Sequence, residues 1–325
     1  MNRLLVSKIL AGSIGLLCVF LAYNHNKSAT YEIGGSIYGT YWKLVSPDYI
    51  PDSIKHSIVN ELDRIDLIAS NYKLNSELSL LNQAPLNTNI KVSQELRDLL
   101  IFAENITLLT DGAYDVTLGK LVIQAGFGPE MNAELFEPMA IKRFTINEDL
   151  YLQKYNNFFL DLSSIAKGYA VDQIYHLLKD SNKNNFLFDI GGELIVTGSN
   201  HGEPWVIGIQ NPLNFTNHSI LNISSNVFLA VATSGEYRNF NIDEQGNRVS
   251  HTLNPQTGKS ISNGVLSVTV TSDLSSMQAD AWATAMNVLG PDKGLELAEK
   301  HGISVLYIMN NSDEINFLNS SNWTH

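Results

Sequence analysis

Cysteine is almost missing from this chain: Cys18 is the only one in 325 residues, which leaves no disulfide framework and no cysteine-ligated zinc centre. Basic residues are also in short supply, 21 against 33 acidic ones. The resulting net charge of −12 argues against a nucleic-acid phosphate backbone as the main partner. The usual nucleotide loops are absent as well. Gly119-Lys120 is followed by leucine and lacks the upstream glycine of a P-loop, and Gly126-Phe127-Gly128 runs into Pro129 without a strand-to-helix junction. No repeat period or low-complexity tract interrupts the chain. A small polyanionic ligand would therefore have to be held by helix ends or by a metal ion.

The first 29 residues differ in kind from the rest. Arg3 and Lys8 precede an uncharged, largely apolar run over residues 9–23, and polar Asn24-His25-Asn26-Lys27 follows. This pattern predicts a signal peptide or membrane anchor with its positive end in the cytoplasm and the body of the protein exported. Leu17 is a bulky residue before Cys18, which makes a poor lipoprotein site, and no small-x-small cleavage site follows Ala22. An uncleaved anchor is the expectation, with residues 30–325 as one domain.

With 44% apolar residues the remainder is long enough to bury a full core. One strand is expected over residues 32–42. A helix is expected over residues 52–70, where Ile54, Ile58, Leu62, Ile65 and Ile68 repeat at helical spacing. A second helix, residues 93–110, carries Leu96, Leu99, Leu100, Ala103 and Ile106 on one face and starts at the cap Ser93. A third follows Asp161 and a fourth spans residues 275–289, with Ala279, Ala281, Ala283 and Ala285 allowing close approach. FLFDI, ELIVTG, WVIGI, VFLAVA and VLSVTVT read as strands. The mixed order, without a βαβ repeat, predicts an α+β fold with mixed or antiparallel sheets.

Several polar clusters sit at the ends of these elements. DLSSIAKGYAVD, residues 161–172, gathers an acid, two serines and Lys167 around a helix start, where free backbone N–H groups favour anions; a helix capped by Ser163 or Ser164 explains it equally well. In ADAWATA, four positions separate Asp280 from Thr284, so both project from one face. Such a pair among small residues makes half of a Mg²⁺ site, although an exposed Asp and a Thr bonded back to its helix is the plainer reading. DGAYDVTLGKLV, residues 111–122, reads as a turn followed by an extended alternation; Tyr114 is suited to stack on a ring and Asp115 to accept a hydrogen bond. YKLNSELSLLN adds Tyr72 at a helix end, and GSIYGTYW adds Tyr38 beside Gly39. SHTLNPQTGKSI places His251 before the turn-forming Asn254-Pro255.

Taken in order, GSIYGTYW, YKLNSELSLLN, DGAYDVTLGKLV, AGFGP, DLSSIAKGYAVD, FDIGGELIVTG, WVIGIQNP, VATSGEYRNF, SHTLNPQTGKSI and ADAWATAMNVLG resemble the ApbE family of FAD:protein FMN transferases, over about residues 34–290. The resemblance implies transfer of FMN from FAD to a threonine or serine hydroxyl of a target protein, with release of AMP. It implies FAD contacts at Tyr38, Tyr72, Ala113, Tyr114, Asp115, Asp161, Lys167 and Leu253, and Mg²⁺ positions at Ser164, Asp280 and Thr284, Ser164 by way of its backbone carbonyl. His251 takes the place of the family's histidine, assigned as general base, a role that suits an imidazole near neutral pH. Two departures stand out: Tyr38 where many members have methionine, and Asn254 where an aspartate is usual.

The resemblance further implies a membrane-bound acceptor, a subunit of a sodium-translocating NADH:quinone oxidoreductase or Rnf-type pump, or an exported flavoprotein. The protein would then lie on the periplasmic side of the bacterial inner membrane. An FAD pyrophosphatase giving FMN and AMP, and a non-catalytic FAD-binding protein, are the competing readings.

Overall fold

The computed structural model describes residues 29–127, 143–213, 219–235, 240–242, 248–250, 252–311 and 314–325. The strand expected over residues 32–42 is a hairpin. β1 (Tyr31–Ile37) pairs antiparallel with β2 (Thr40–Ser46), and the two residues between them, Tyr38 and Gly39, both adopt positive φ, 51° and 73°. Two left-handed residues in a two-residue loop match the twist of the flanking strands. Tyrosine tolerates this backbone because its hydroxyl is anchored, donating to the Leu62 carbonyl at 2.8 Å.

The chain continues through α1 (Asp52–Ala69), α2 (Glu77–Gln83), β3 (Asn89–Lys91), α3 (Gln94–Leu109), α4 (Gly119–Gln124), β4 (Phe144–Ile146) and β5 (Tyr151–Lys154). Next come α5 (Ser163–Asp180), β6 (Phe186–Ile190), β7 (Glu193–Thr197), β8 (Trp205–Gln210), β9 (Ser219–Ser225) and β10 (Leu229–Gly235). β11 (Phe240–Ile242), β12 (Arg248–Ser250), β13 (Val265–Ser272), α6 (Ser276–His301), β14 (Ser304–Asn311) and β15 (Glu314–Asn319) complete the order. The fold is α+β. Its main sheet has eight strands in the order β1-β2-β6-β7-β10-β13-β14-β15, every pair antiparallel.

Both faces of this sheet are covered, which is why β10 is buried over its first four residues without alternation. On one face Ile54, Ile58, Leu62 and Ile65 of α1 pack with Ala170, Val171, Ile174 and Leu178 of α5 against Phe186, Phe188 and Ile190. Beside them Leu96, Leu99, Leu100, Ala103 and Ile106 of α3 meet Trp282, Ala283 and Met286 of α6 over Val268 and Val270. On the other face the β8–β9 hairpin lays Trp205, Ile207, Ile209 and Ile223 on Val196, Val231 and Ile308. Each large aliphatic buried this way contributes about 1.5–3 kcal/mol before entropy is counted.

Three local expectations change. The second half of DGAYDVTLGKLV is not extended: residues 119–124 form α4, and Gly119 fits there because a Cβ would lie 2.6 Å from the Phe159 ring. Neither Ser163 nor Ser164 caps α5; Leu162 holds the cap position and the Asp161 carboxylate accepts from Ser163 N–H at 2.9 Å. The fourth helix continues past residue 289 after a break at Gly290 (φ 72°), with Pro291 next in the chain. The Tyr307 hydroxyl bonds the Met286 and Gly290 carbonyls at 3.0 and 3.1 Å, and Asn263 donates to the Asn287 carbonyl at 2.8 Å, so three carbonyls at the end of the first half of α6 find side-chain donors. Among the described residues no helix is long and apolar enough to cross a membrane. Residues 1–28, which hold nearly all of the expected anchor, lie outside them.

Candidate active site

Two adjoining cavities of about 240 and about 1260 Å³ share Val122, Asp161, Ser163, Lys167 and Gly191 in their walls, and so form one cleft with an inner and an outer chamber. Ala113, Tyr114, Asp115, Asp161, Ser164, Lys167, Leu253, Asp280 and Thr284 line the inner chamber. Tyr38 and Tyr72 line the outer one. The elements that carry them are far apart in sequence and meet where the start of α5 crosses α6. His251 lies outside the described residues; its neighbours Thr252 and Leu253 are buried in the inner wall.

The inner chamber is built on the crossing of two helices. Gly168 leaves no room for a side chain there: a Cβ would sit 2.5 Å from the Ser276 carbonyl and 2.8 Å from Asp280 Cβ. Its N–H donates to Asp280 Oδ2 at 3.0 Å. Regular helix geometry assigns that amide to the carbonyl four residues back, which is Ser164. Asp172 joins the helices one turn further on, accepting from Ser276 N–H (2.7 Å), Met277 N–H (2.9 Å) and the Ser275 hydroxyl (2.7 Å). Ser275 in turn caps α6 by accepting from Gln278 N–H at 3.1 Å. Asp280 and Thr284 are thus fixed relative to Ser164.

Asp280 is 5% exposed. Burial first, and then the nearby Glu193 carboxylate, hold its carboxyl well above the usual carboxylate range, against the pull of Lys167 and the Gly168 N–H. A buried carboxylate in such surroundings gains from a cation. Among the described residues no three His, Cys, Asp or Glu side chains cluster closely enough to hold a metal on their own. One carboxylate with the Ser164 and Thr284 oxygens nevertheless fits Mg²⁺, which keeps several waters and takes its remaining ligands from phosphate oxygens.

The rest of the inner wall is a set of hydrogen-bonded polar groups. Tyr114 is buried in the core with 1% exposure and presents no open ring face; its hydroxyl meets the Ser164 hydroxyl at 2.8 Å. Burial raises its pKa, so it stays protonated. The Asp115 Oδ1 atom accepts from Thr117 N–H (2.9 Å) and the Thr117 hydroxyl (2.7 Å) and forms an ion pair with Arg143, while Oδ2 is buried with no hydrogen-bond partner. Asp115 itself lines the inner chamber. Leu253 packs with Leu118 and Leu121 as an apolar strip. In the outer chamber Tyr72 is 68% exposed and its hydroxyl donates to the Phe127 carbonyl at 2.9 Å.

The turn after His251 is intact despite the asparagine. Asn254 Oδ1 accepts from Gln256 N–H (2.9 Å) and Thr257 N–H (3.2 Å), as an aspartate would, and Gly258 closes the turn with φ 67°. Glu193 is the site residue that the pattern of the sequence did not single out, although GGEL was visible. It pairs with Lys167 at 2.6 Å with its side chain 5% exposed. Thr233, Ser234 and Gly235 at the end of β10 complete the inner wall.

Similar proteins cover nearly the whole chain. It is 34% identical over 297 residues to the FAD:protein FMN transferase of Vibrio cholerae serotype O1, a match spanning 87% of this chain and 88% of that one. The protein of the same description from Escherichia coli K12 is 33% identical over 299 residues, 86% of this chain and 84% of the relative. Among solved structures, the flavin transferase ApbE from Vibrio cholerae superposes with a TM-score of 0.79 at 31% identity, covering 91% of this chain and 98% of that one. The apo flavinyl transferase ApbE of Pseudomonas stutzeri gives 0.79 at 28% identity, with 91% and 96% covered. The ApbE family model matches residues 38–307, and this chain belongs to the ApbE family.

Proposed function

We propose that this enzyme transfers FMN from FAD to a threonine or serine hydroxyl of an acceptor protein, with Mg²⁺ as its metal. The observation that carries the reading is the cleft itself. A chamber roomy enough for a flavin, with Tyr38 and Tyr72 in its walls, opens into a smaller one where Asp280, Thr284 and Ser164 face the start of a helix. Family membership and the description of the relatives as FAD:protein FMN transferases support the same activity.

In the proposed reaction the acceptor hydroxyl oxygen forms a bond to the FMN phosphorus as the bond from that phosphorus to the bridging oxygen breaks. AMP leaves with the bridging oxygen and its electron pair. His251 takes the hydroxyl proton, a role that suits an imidazole near neutral pH. Asp280, Thr284 and the Ser164 carbonyl would hold Mg²⁺, which when bound supplies neutralisation of the diphosphate charge. The dipole of α5, whose start lies in the chamber wall, adds a partial positive charge from the protein itself. Tyr38 and Tyr72 would border the flavin half in the outer chamber, and Asp115 and Leu253 the nucleotide half in the inner one.

The test incubates the protein with FAD, MgCl₂ and a candidate acceptor and weighs the acceptor by mass spectrometry. A mass gain equal to FMN joined through phosphate, with AMP released, is the expected result. FMN and AMP in solution with an unmodified acceptor would overturn transfer in favour of hydrolysis. The segment over residues 1–29 supports export with the body on the periplasmic side of the inner membrane, where a subunit of a membrane redox pump or an exported flavoprotein would be the acceptor. A reporter fused after Thr30 that stays cytoplasmic would remove that part of the reading.

A further inference from the structure

Glu193 belongs to no step of the proposed reaction, yet it is among the most buried acids of the cleft, 4% exposed. The tight turn between β6 and β7 puts it there. Gly191 and Gly192 both have positive φ (61° and 109°), and Gly192 N–H is held by Asp189 Oδ1 at 2.7 Å. Glu193 is the first residue of β7 after that turn, opposite Ile190. Its Oε2 accepts from Lys167 Nζ at 2.6 Å.

Lys167 is one residue before Gly168, whose N–H bonds Asp280 Oδ2, and its ammonium is close enough to Asp280 to act on it electrostatically. Two carboxylates therefore compete for one ammonium in a largely buried space. The pair formed is Lys167–Glu193, while Asp280 accepts from a backbone amide and has an excess negative charge beside it. If the ammonium turned to Asp280, the carboxylate that would bind a divalent ion would already be neutralised.

We propose that Glu193 is a positioning residue that acts through Lys167: by holding the ammonium in an ion pair it keeps Asp280 available to the divalent ion. The inference rests on the reading of Asp280 as a metal ligand. It assigns Glu193 no contact with the metal and none with FAD. Removing the Glu193 charge should weaken metal binding, because the lysine is released onto Asp280. Removing the lysine as well should restore it.

The experiment measures Mg²⁺ binding to the full chain by isothermal titration calorimetry without FAD, for wild type, Glu193→Gln and the double variant Glu193→Gln/Lys167→Met. Glu193→Gln is expected to weaken Mg²⁺ binding about 10–100-fold, the range typical of partners that act behind a metal ligand. The double variant is expected to return to within a few-fold of wild type. A Glu193→Gln protein that binds Mg²⁺ like wild type, or a double variant as weak as the single one, overturns the role of Glu193 and leaves the metal reading standing. A wild-type chain that takes up no Mg²⁺ overturns the metal reading itself, and this inference with it. Thermal melting of the metal-free proteins separates these outcomes from misfolding, since a double variant that melts like wild type and still binds weakly is also a refutation.

Discussion

The backbone amide of Gly168 and the carboxylate of Asp280 are hydrogen-bonded at 3.0 Å across the crossing of α5 and α6. The contact is possible only because residue 168 has no side chain, and it joins the helix start that faces the cleft to the carboxylate that faces it from the other side. Packing and chemistry thus share one contact.

Gly168→Ala should part the helices. Its Cβ would meet backbone atoms of Ser276 and Met277 at 2.5 and 2.7 Å, which cannot swing away as a side-chain tip would. Overpacking of this kind costs about 1–3 kcal/mol. A lowered midpoint in urea unfolding, together with weaker Mg²⁺ binding, is expected; an unchanged midpoint would show that the crossing is loose.

The ionisation of Asp280 should be visible in the pH dependence of stability. Its folded pKa lies well above the usual 3.8, through burial and then through Glu193, with Asp172 acting in the same sense and Lys167 in the opposite one. Over the interval between the unfolded and the raised folded value, the folded chain holds a proton that the unfolded chain has lost. The stability associated with that proton is full at low pH and is lost as pH rises through the folded value. Asparagine carries no such proton and can still accept from Gly168 N–H. In metal-free buffer the stability of Asp280→Asn relative to wild type should therefore increase from about pH 4 upward. A difference that stays flat to pH 8 would contradict the shift.

His251→Ala and Asp280→Ala should fail differently. Loss of a general base costs about 10²–10⁴ in rate and leaves FAD binding intact, as judged by quenching of flavin fluorescence. Loss of Asp280 should abolish the dependence of turnover on Mg²⁺. Full transfer by the His251 variant would remove that residue from the mechanism.

Asn254→Asp should be nearly silent. The turn needs only an acceptor at Oδ1, which both residues provide, so stability is expected to change by no more than about 0.5 kcal/mol. Asn254→Ala removes both bonds, and its transfer rate should fall while its melting temperature moves little. Equal activity in the Ala variant would show that the turn does not aim its neighbours.

Periodicity is enough to read α1 and α3, because their apolar residues repeat over about three turns or more and face the core. It is not enough for α4, whose six residues hold too little pattern and whose start depends on Gly119 fitting against Phe159. The β1–β2 turn was illegible for another reason. Tyr-Gly is not one of the usual Asn-Gly or Asp-Gly pairs, and the tyrosine is held by a bond to Leu62 in a different element. The spacing of Asp280 and Thr284 showed a shared face, but the partners of that face, Gly168, Glu193 and Asp172, lie on other elements and only folding brings them close. Competition between two acids for one lysine has no signature along the chain.

The break at Gly290 divides α6 into a part that serves the cleft and a part that serves the sheet. The Met286, Asn287 and Gly290 carbonyls at the end of the first are closed by the side chains of Tyr307 and Asn263. The second part is tied back to the first: a Cβ at Gly294 would lie 1.8 Å from the Tyr307 hydroxyl and 3.3 Å from Met286 Sδ, and the His301 ring packs on Trp282 at 5.8 Å. A shift of the sheet-bound turns would therefore be felt at Trp282, two residues from Asp280.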